Sequence, residues 1–478
     1  MNWLFASIAV ALPDSSEKLG VPEGYTPFGG GGDTQLHPIA LVTVVIGAIL
    51  IWVLPRKHVL VPFTVLAILV PLTQQAVFFG LHFMVLRLLI ACAWMRLGYE
   101  VYILNRRLLP GGITIPDKLF VLWVFATVVT YVLLWREVGA LILKLGFLYN
   151  ALGTYFLCRH FCHSRADCER LIRTLSVVCA IVAIIMIAEQ LIGYNPLRDL
   201  GLATLPELRN GRIRSQGPFL HSIIAGTFGA ILVPTFMGLW WTRRSKAFAA
   251  IGIISGIIMA ITAVASTPLI GFAAGVAAVC FWPMRRYTRY VRWGAVVVLV
   301  GLHLVMKGPV WALITHLDFT GGSSTWHRFL LIDNFIHRFG EWWLLGTRDN
   351  AAWGFDMWDV CNWYVASGVG GGLLVLALFV GLIGTAFGCV GKCVLKHDAR
   401  DPAGAKFAWS LGAAVFAGSV AFLGIKLFDQ SIVLWYALLA VIAVVTTEPV
   451  LLNTAQVKEE RAAVVFPAAW NAAKNHQV

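Results

Sequence analysis

The sequence predicts an all-α polytopic membrane protein with about thirteen transmembrane helices. Hydrophobic residues make up 59% of the 478-residue chain and charged residues only 13%, whereas soluble domains carry roughly 25% charge. Apolar runs close to the ~20 residues that cross a bilayer recur along most of the chain. The strongly basic short loops between them all fall on one side of the membrane. These three observations define the expected fold class.

The apolar runs form two groups, separated by a long loop. Spans 1–10 are expected within residues 37–306 and the last three within 363–446. The predicted spans lie near residues 38–54, 58–73, 79–97, 118–135, 138–158, 171–192, 219–241, 248–264, 267–283, 291–306, 363–388, 406–424 and 428–446. Segment 1–36 begins with an apolar stretch too short to span and is expected outside, at the interface. Residues 447–478 are expected to form a cytoplasmic tail.

Charge sets the predicted orientation. With Met1 outside, every strongly basic short loop faces the cytoplasm. These loops are 55–58, 105–112, 159–173, 242–246, 284–292 and 391–400. Topology therefore accounts for much of the net charge of +13. Nucleic-acid binding is not indicated, because no basic block is interleaved with aromatic residues in a polar domain.

Two long external loops, about 193–218 and 307–362, carry arginines on the side where the positive-inside rule disfavours them. These arginines are Arg198, Arg209, Arg212, Arg214, Arg328, Arg338 and Arg348. Cations that lower insertion efficiency suggest an anionic ligand on the external face. The alternative is that long loops translocate regardless of their charge.

The loop 307–362 is expected to be partly helical and functional. Trp326, Phe329, Ile332 and Ile336 recur at helical spacing. The stretch that follows is rich in glycine, aspartate and tryptophan. Tryptophan offers a flat apolar face to a sugar ring and carboxylates accept from its hydroxyls, so Trp353 and Trp358 are candidate substrate-binding residues. An interfacial aromatic belt is the alternative.

Two cations fall inside predicted spans. Arg87 stands midway along the run 79–97, and a charge at such a depth is expensive enough to be a functional candidate. Lys144 lies a turn or two below the external face, in the run 138–158. For Lys144, snorkelling towards the surface is an equally good interpretation.

Three segments carry a family likeness. In RIRSQGPFLHSIIAGTFGAILVP, Arg214, Gly217, Phe219 and His221 match an Arg-x-x-Gly-x-Phe-x-His-Pro-Asn helix. ASTPLIGFAAGVAA (265–278) occupies the place of a short external turn, and WHRFLLIDNFIHRFGEWWLLGT with NWYVASGVGGGLLVLALFV (362–380) resembles a long external loop and the helix after it. Together these segments resemble the bacterial O-antigen ligase and polysaccharide polymerase superfamily, membrane glycosyltransferases of the GT-C type.

The chain departs from that family at three places. Cys361–Asn362 stands where ligases carry His-Asn, and Ser222 rather than proline follows His221. Thr267–Pro268 occupies a position where arginine is often found. The missing histidine favours a polymerase, or a subfamily with a different base, over a ligase.

The resemblance implies a donor glycan linked through pyrophosphate to a polyprenol such as undecaprenol, and a second glycan as acceptor. It implies an active site on the periplasmic face of the bacterial inner membrane, with a chain-length regulator as a candidate partner. No cofactor is expected, and the arginines make a metal unnecessary. The alternatives are an O-antigen ligase acting on a lipid A core, a lipid-linked oligosaccharide flippase or transporter, and a non-catalytic scaffold.

The arginines are expected to bind the pyrophosphate, because guanidinium groups bind phosphate oxygens bidentately. Arg212 and Arg214 precede a helix predicted to open near Pro218, whose N–H groups would add to the site. Arg328 and Arg348 would close its other side, and Arg87 would reach it from below.

Catalysis also requires a base for the acceptor hydroxyl. Candidates in the long loop are Asp359, Asp356, Glu341 and His327, and Asp359 is preferred because it lies beside Trp358 and three residues before Asn362. A helix N-cap is the equal alternative for Asp359. His221 is expected either to donate to phosphate or to act as the base. His327 and Asn362 are also assigned to substrate binding.

Overall fold

The computed structural model describes residues 34–78, 81–109, 111–202, 207–242, 245–316 and 325–447. The predicted external segment 1–36 and cytoplasmic tail 447–478 lie almost entirely outside these ranges. So does part of the long loop, residues 317–324.

The described chain is predominantly α-helical. Its helices are α1 (Pro38–Val53), α2 (Leu60–Leu69), α3 (Val85–Gly98), α4 (Ile115–Trp135), α5 (Val138–Phe161), α6 (Arg165–Ile192), α7 (Ser222–Trp240), α8 (Lys246–Thr262), α9 (Ser266–Cys280), α10 (Thr288–Val305), α11 (Thr325–His337), α12 (Phe339–Trp342), α13 (Trp363–His397), α14 (Pro402–Ala421) and α15 (Ile432–Thr447). Short 3₁₀ or π segments occur at Arg56–His58, Tyr99–Ile103, Pro196–Leu200, Trp282–Tyr287, Val310–His316 and Asn350–Trp353.

Within the described ranges, six helices are long and apolar enough to cross a membrane. They are α4, α5, α6, α7, the continuous segment Trp282–Val305 that contains α10, and α13. The helices α1, α8, α9 and α15 are apolar but shorter. The protein is therefore an α-helical membrane protein. Each of the thirteen predicted spans contains a helix. Only the six helices named above are both long enough and apolar enough, within the described ranges, to cross a membrane.

Helix α7 lies at the centre of the helical bundle. It packs against α8, α9 and α14, and nearly all of its side chains are buried. In contrast, α10 has no buried residue and presents valines and leucines outward. Such an apolar surface is what contact with lipid requires. The loop before α7 carries arginines that were predicted to bind an anion, and it thus leads directly into a helix that is almost fully buried.

Two β-hairpins interrupt the predicted all-α pattern. Strand β1 (Gln75–Phe78) pairs with β2 (Leu81–Met84), and β3 (Glu207–Arg209) pairs with β4 (Arg212–Arg214). The predicted span 79–97 is therefore wrong at its start, since α3 begins only at Val85. A short apolar run is compatible with either a strand or a helix, so its periodicity alone does not distinguish the β1–β2 hairpin from the start of a helix.

Helix α13 is broken near its N-terminal end. Gly372 has φ 73°, a left-handed conformation that glycine adopts without steric cost. At the break, the N–H of Leu373 donates to the Trp343 carbonyl at 2.8 Å and that of Thr347 to the Val369 carbonyl at 2.9 Å. The end of the long loop is thus hydrogen-bonded into the broken helix.

The long loop also has an apolar core of its own. Its buried members are Leu331, Phe335, Trp342, Trp353, Met357, Val365 and Val369. Helix α11 confirms the predicted helical stretch, but its buried residues include Arg328, Leu331 and Phe335, whereas Trp326 is 62% exposed. This rotation places Arg328 towards the membrane bundle.

Candidate functional site

The segment between Arg214 and His221 is fixed by buried polar groups. Glu189, near the end of α6, accepts from the backbone N–H of Gln216 at 2.9 Å and of Gly217 at 3.0 Å. Asn195 donates to the Gly217 carbonyl at 2.8 Å. Gly217 has φ +57°, and a Cβ there would lie 3.3 Å from Met186. Glycine is therefore favoured three residues after Arg214, because a side chain there would strain the backbone and displace Met186 slightly.

A second set of contacts ties the same segment to the loop between α14 and α15. Asp429 accepts from the Leu220 N–H at 3.2 Å, and Gln430 donates to the Pro218 carbonyl at 2.6 Å. Burial raises the pKa of the Asp429 carboxyl. Arg214 and His221 thus flank a loop that is held from two sides.

The Arg214 side chain is buried at the base of the β3–β4 hairpin. Its Nη1 donates to the carboxylate of Glu207, its cross-strand partner. Its Nε and Nη2 have no hydrogen-bond partner among the described residues. Burial lowers the pKa of Arg214, yet a guanidinium stays charged in proteins. Buried donors without a partner are costly, about 1–3 kcal/mol or more each when charged, so an anion would stabilise this site.

His221 is the N-cap of α7. Its Nδ1 accepts from the Ile223 N–H at 3.2 Å, so the neutral ring carries its proton on Nε2. Nε2 lies 3.8 Å from Glu207 Oε1. Burial lowers the pKa of His221, which favours the neutral ring. This tautomer can donate to an anion but leaves no free nitrogen to act as a base.

The start of α7 differs from the expectation. The helix begins at Ser222, four residues after Pro218. Two N–H groups expected to face the ligand are already bonded, Leu220 to Asp429 and Ile223 to His221. The charged side chains therefore contribute more to this site than the helix terminus does.

Arg328 reaches the same region from the long loop. It is buried, and its Nε has no hydrogen-bond partner among the described residues. A Cβ at Gly424 would lie 3.4 Å from Arg328 Cζ and 2.7 Å from Thr267 Oγ1. Arg328 also interacts with the Cys361 thiol and, by charge repulsion, with Arg214. The two guanidinium groups, more than a hundred residues apart in sequence, are thus close enough to repel each other, and no ion pair among the described residues joins both of them to one carboxylate.

Asp359 lies beside this pair, in the loop before α13. Its carboxyl interacts electrostatically with His327, Lys426 and Arg328. Burial raises its pKa, which makes the ionised form more basic than a free carboxylate. The Nε2 of His327 donates to the Asp359 backbone carbonyl at 3.1 Å. His327 therefore positions Asp359, and that nitrogen is not available as a base.

Asn362, rather than Asp359, caps α13. Its side-chain oxygen accepts from the N–H groups of Tyr364 at 2.9 Å and Val365 at 3.2 Å, and its amide donates to the Leu423 carbonyl at 3.0 Å. The amide oxygen of Asn362 and one of its N–H bonds are thus used within the protein, and its assignment to substrate binding stays a prediction. These contacts leave the Asp359 carboxylate free of a capping role.

Arg348 lies outside the Arg214–Arg328 cluster, contrary to the expectation. Its guanidinium donates to the carbonyl oxygens of Leu134 and Trp135 at the end of α4 and lies 5.2 Å from the Trp135 ring centroid. A cation there satisfies free carbonyls and complements the helix dipole.

The Arg348→Gln variant should therefore lose stability rather than ligand binding. We expect a loss of about 1–2 kcal/mol, since charge-assisted hydrogen bonds and dipole contacts are removed. Thermal unfolding in detergent would measure the loss. Affinity for an anion such as pyrophosphate should stay within about twofold of wild type, and a larger change would show that Arg348 contributes to the Arg214–Arg328 site.

Arg87 also contacts groups outside the Arg214–Arg328 cluster. It is the third residue of α3, near the start of the helix rather than midway along a span. Its Nη1 donates to the His82 carbonyl at 2.5 Å, and the guanidinium packs against Gly146 of α5. Its electrostatic partner is Tyr149, so the position of Arg87 does not support the expected reach into the cluster from below.

The remaining predicted residues divide between the surface and the loop core. Arg212 is exposed on β4, two residues from buried Arg214. Trp353 is buried in the apolar core of the long loop, and its indole donates to Glu341 at 2.8 Å, so neither ring face is open to a sugar. Trp358 is half-buried next to Asp359 and stays a candidate.

Four charged residues of the site were missed from sequence: Glu189, Glu207, Lys426 and Asp429. Glu189, Lys426 and Asp429 stand close to an end of a predicted span, where a single charge resembles an ordinary boundary residue, and Glu207 lies within the predicted loop 193–218. The signal available was their isolation, since Lys426 and Asp429 are the charges of an otherwise apolar turn, FLGIKLFDQSIVLW.

The described residues contain no group of three or more histidine, cysteine, aspartate or glutamate side chains that could hold a metal ion. No family model matches the chain, and no curated protein is significantly similar to it.

Proposed function

We propose that the protein is a membrane glycosyltransferase that moves a glycan from polyprenyl pyrophosphate to the hydroxyl of a second glycan. One observation carries this proposal: the buried donors Arg214 Nε and Nη2 and Arg328 Nε, from two converging loops, have no partner among the described residues. A diphosphate supplies several acceptor oxygens and enough negative charge to offset two guanidinium groups. The proposed donor lipid, undecaprenyl pyrophosphate or a close relative, would enter laterally from the bilayer.

In the proposed reaction, the diphosphate displaces the Glu207 carboxylate from Arg214 and from the N–H of His221. The ionised Asp359 takes the proton of the acceptor hydroxyl as its oxygen attacks the anomeric carbon. The bond from that carbon to the diphosphate oxygen breaks, and polyprenyl pyrophosphate departs with the electron pair. Stabilising that developing charge is the largest catalytic contribution expected of the arginines. A single displacement inverts the anomeric configuration.

Polymerisation is the preferred form of this reaction. Cys361 occupies the position where the resembled ligases have histidine, and Asp359 is the nearest group able to serve as the base. In this proposal the site faces the periplasm across the bacterial inner membrane, and the thirteen helix-containing segments all span. A flippase is less well supported, because the one arginine expected at mid-membrane, Arg87, lies at a helix start.

Purified protein in nanodiscs provides the test. Polyprenyl-pyrophosphate-linked oligosaccharide should yield longer glycans and free polyprenyl pyrophosphate when a glycan acceptor is supplied. A lipid A core acceptor in a parallel reaction separates polymerase from ligase. If the glycan is transferred to neither acceptor and the intact donor moves between leaflets, the protein is a transporter rather than a glycosyltransferase.

A further inference from the structure

Arg56 lies between α1 and α2, at the end of the helical bundle opposite to Arg214. It pairs with Asp167 in the first turn of α6. Glu189, which binds the segment after Arg214, lies about six turns further along the same helix, roughly 33 Å away at 1.5 Å per residue. Arg56 Nη1 is buried and has no hydrogen-bond partner among the described residues. This unsatisfied nitrogen therefore belongs to a part of the molecule remote from the proposed glycan-transfer site.

The carboxylate beside Arg56 is already bound by other groups. Asp167 accepts from Arg170 Nη1 at 2.7 Å and from the backbone N–H of His163 at 3.1 Å. Arg56 Nη2 lies 3.9 Å from the same carboxylate, beyond hydrogen-bonding distance. Arg170 Nη1 also donates to the Lys57 carbonyl at 3.0 Å, so the loop that carries Arg56 is fixed against α6. The fold thus positions the Arg56 guanidinium but does not hydrogen-bond it to Asp167.

The His163 side chain, in the turn between α5 and α6, provides a second unsatisfied nitrogen. Its Nε2 is buried and has no hydrogen-bond partner in the part of the chain that the structure describes. The backbone N–H of His163 and the Arg56 guanidinium approach the same oxygen, Asp167 Oδ2. Burial and the charge of Arg56 lower the pKa of His163 to about 4, so the ring is neutral at pH 7 and can donate from Nε2. Leaving both nitrogens unpaired is costly, so an anion that accepts from both would stabilise this part of the fold.

The charges around Arg56 leave an excess of positive charge. Four guanidinium groups share two carboxylates at ion-pair distances of 2.7–3.9 Å: Glu100 with Arg96 and Arg106, and Asp167 with Arg56 and Arg170. His160 connects the two sets, because its Nε2 lies 3.6 Å from Glu100 and its ring centroid 6.0 Å from that of His163. These six charged residues carry a net charge of +2, four positive charges against two negative. The cluster therefore favours an anionic ligand.

The surroundings of Arg56 indicate that the anion belongs to a lipid. Helix α1 presents apolar side chains outward along its length, as far as Trp52 and Val53. The exposed Trp52 ring lies 6.0 Å from the ring of Tyr99, which is also exposed, at the end of α3. Exposed tryptophan and tyrosine at the ends of apolar helices lie at the level of lipid headgroups. Arg56 follows Val53 by three residues and so lies at the same level.

We propose that Arg56 and His163 bind the phosphate group of an anionic phospholipid at the end of the bundle opposite to Arg214. The planar guanidinium group binds phosphate oxygens through charge-assisted hydrogen bonds, and basic pockets between membrane helices bind lipid headgroups. The bound phosphate would join the α1–α2 loop to the α5–α6 turn. This inference does not depend on the proposed glycan transfer.

Native mass spectrometry of the full-length protein, delipidated in detergent and titrated with phospholipid, tests this site. Phosphatidylglycerol should bind about tenfold more tightly than phosphatidylcholine, and Arg56→Gln should remove that preference, as expected when one charge-assisted hydrogen bond is lost. Lys57→Gln is the matched control, because it removes the same charge from the next residue, which is exposed. Its affinity for phosphatidylglycerol should stay within about twofold of wild type, since an exposed cation is screened by solvent.

Three binding results would overturn the lipid site: equal affinity of wild type for both lipids, a preference that survives Arg56→Gln, or equal losses in Arg56→Gln and Lys57→Gln. Glycerol 3-phosphate distinguishes the two sources of phosphate. It should not displace phosphatidylglycerol, and displacement would assign the site to a soluble phosphate ester instead. Thermal unfolding without added phosphatidylglycerol should give the same midpoint for both variants and wild type. A lower midpoint for Arg56→Gln alone would make Arg56 a structural residue and reject the lipid site.

Discussion

Replacing Arg214 with alanine should lower kcat/KM for glycan transfer by about 10²–10³-fold, as removal of one donor to a developing oxyanion does in other enzymes. The physical reason is that Arg214 Nε and Nη2 are buried and unused within the described chain, so their hydrogen bonds are available to the leaving diphosphate. Initial rates with a radiolabelled polyprenyl-pyrophosphate donor would measure the effect. Arg214→Lys should recover only part of it, because lysine keeps the charge but lacks the fork.

Arg212 provides the matched control for this experiment. It lies on the same strand, two residues away, and is exposed. Arg212→Ala should stay within about threefold of wild type, since an exposed cation is screened by solvent and salt. Similar losses for Arg212→Ala and Arg214→Ala, at equal protein abundance, would mean that long-range charge rather than a buried donor site attracts the ligand.

Asp359→Asn should lower kcat by about 10²–10⁴-fold, the range typical of general-base removal. Donor affinity should change little, because the proposed role of Asp359 is to take the proton of the acceptor hydroxyl. Asp356→Asn is the control: Asp356 has φ 62°, a conformation that asparagine tolerates, and its loss should cost less than about threefold. An equal loss of donor binding and turnover in Asp359→Asn would assign Asp359 a structural role.

The pH profile gives an independent readout of the same residue. Burial raises the pKa of Asp359, and only the ionised form can accept a proton. The rate should therefore fall with decreasing pH through that raised pKa, at higher pH than a free aspartate of pKa about 3.9 would require. Residual activity of Asp359→Asn should lack this acidic limb. A limb unchanged in that variant would belong to another group.

The sequence predicted the helical class well because apolar runs of spanning length are unambiguous. Runs such as 118–135 and 138–158 correspond closely to α4 and α5. The prediction of a helix from residue 79 was wrong, because the mainly apolar segment Leu81–Met84 forms a strand and the helix begins only at Val85. The β3–β4 hairpin had a recognisable signal in its Asn210–Gly211 turn, where both residues have positive φ, as a two-residue hairpin loop requires.

The site was only partly predictable. Arg214 and Arg328 were both selected as cations on the translocated face, and the fold brings them near each other. The same reasoning selected Arg348, because nothing local in the sequence reveals that its partners are carbonyl oxygens at the end of α4. Lys426 escaped notice because its importance depends on Asp359, which is 67 residues earlier and meets it only in the folded chain.

The most direct test of the anion site is a cryo-EM structure of the protein with a polyprenyl pyrophosphate bound. Phosphate oxygens should lie about 3 Å from Arg214 Nη2 and Arg328 Nε, with the Glu207 carboxylate displaced from Arg214 and the His221 ring within donating distance. Diphosphate density beside Arg87 or Arg348, with the Glu207–Arg214 ion pair intact, would contradict the proposed site.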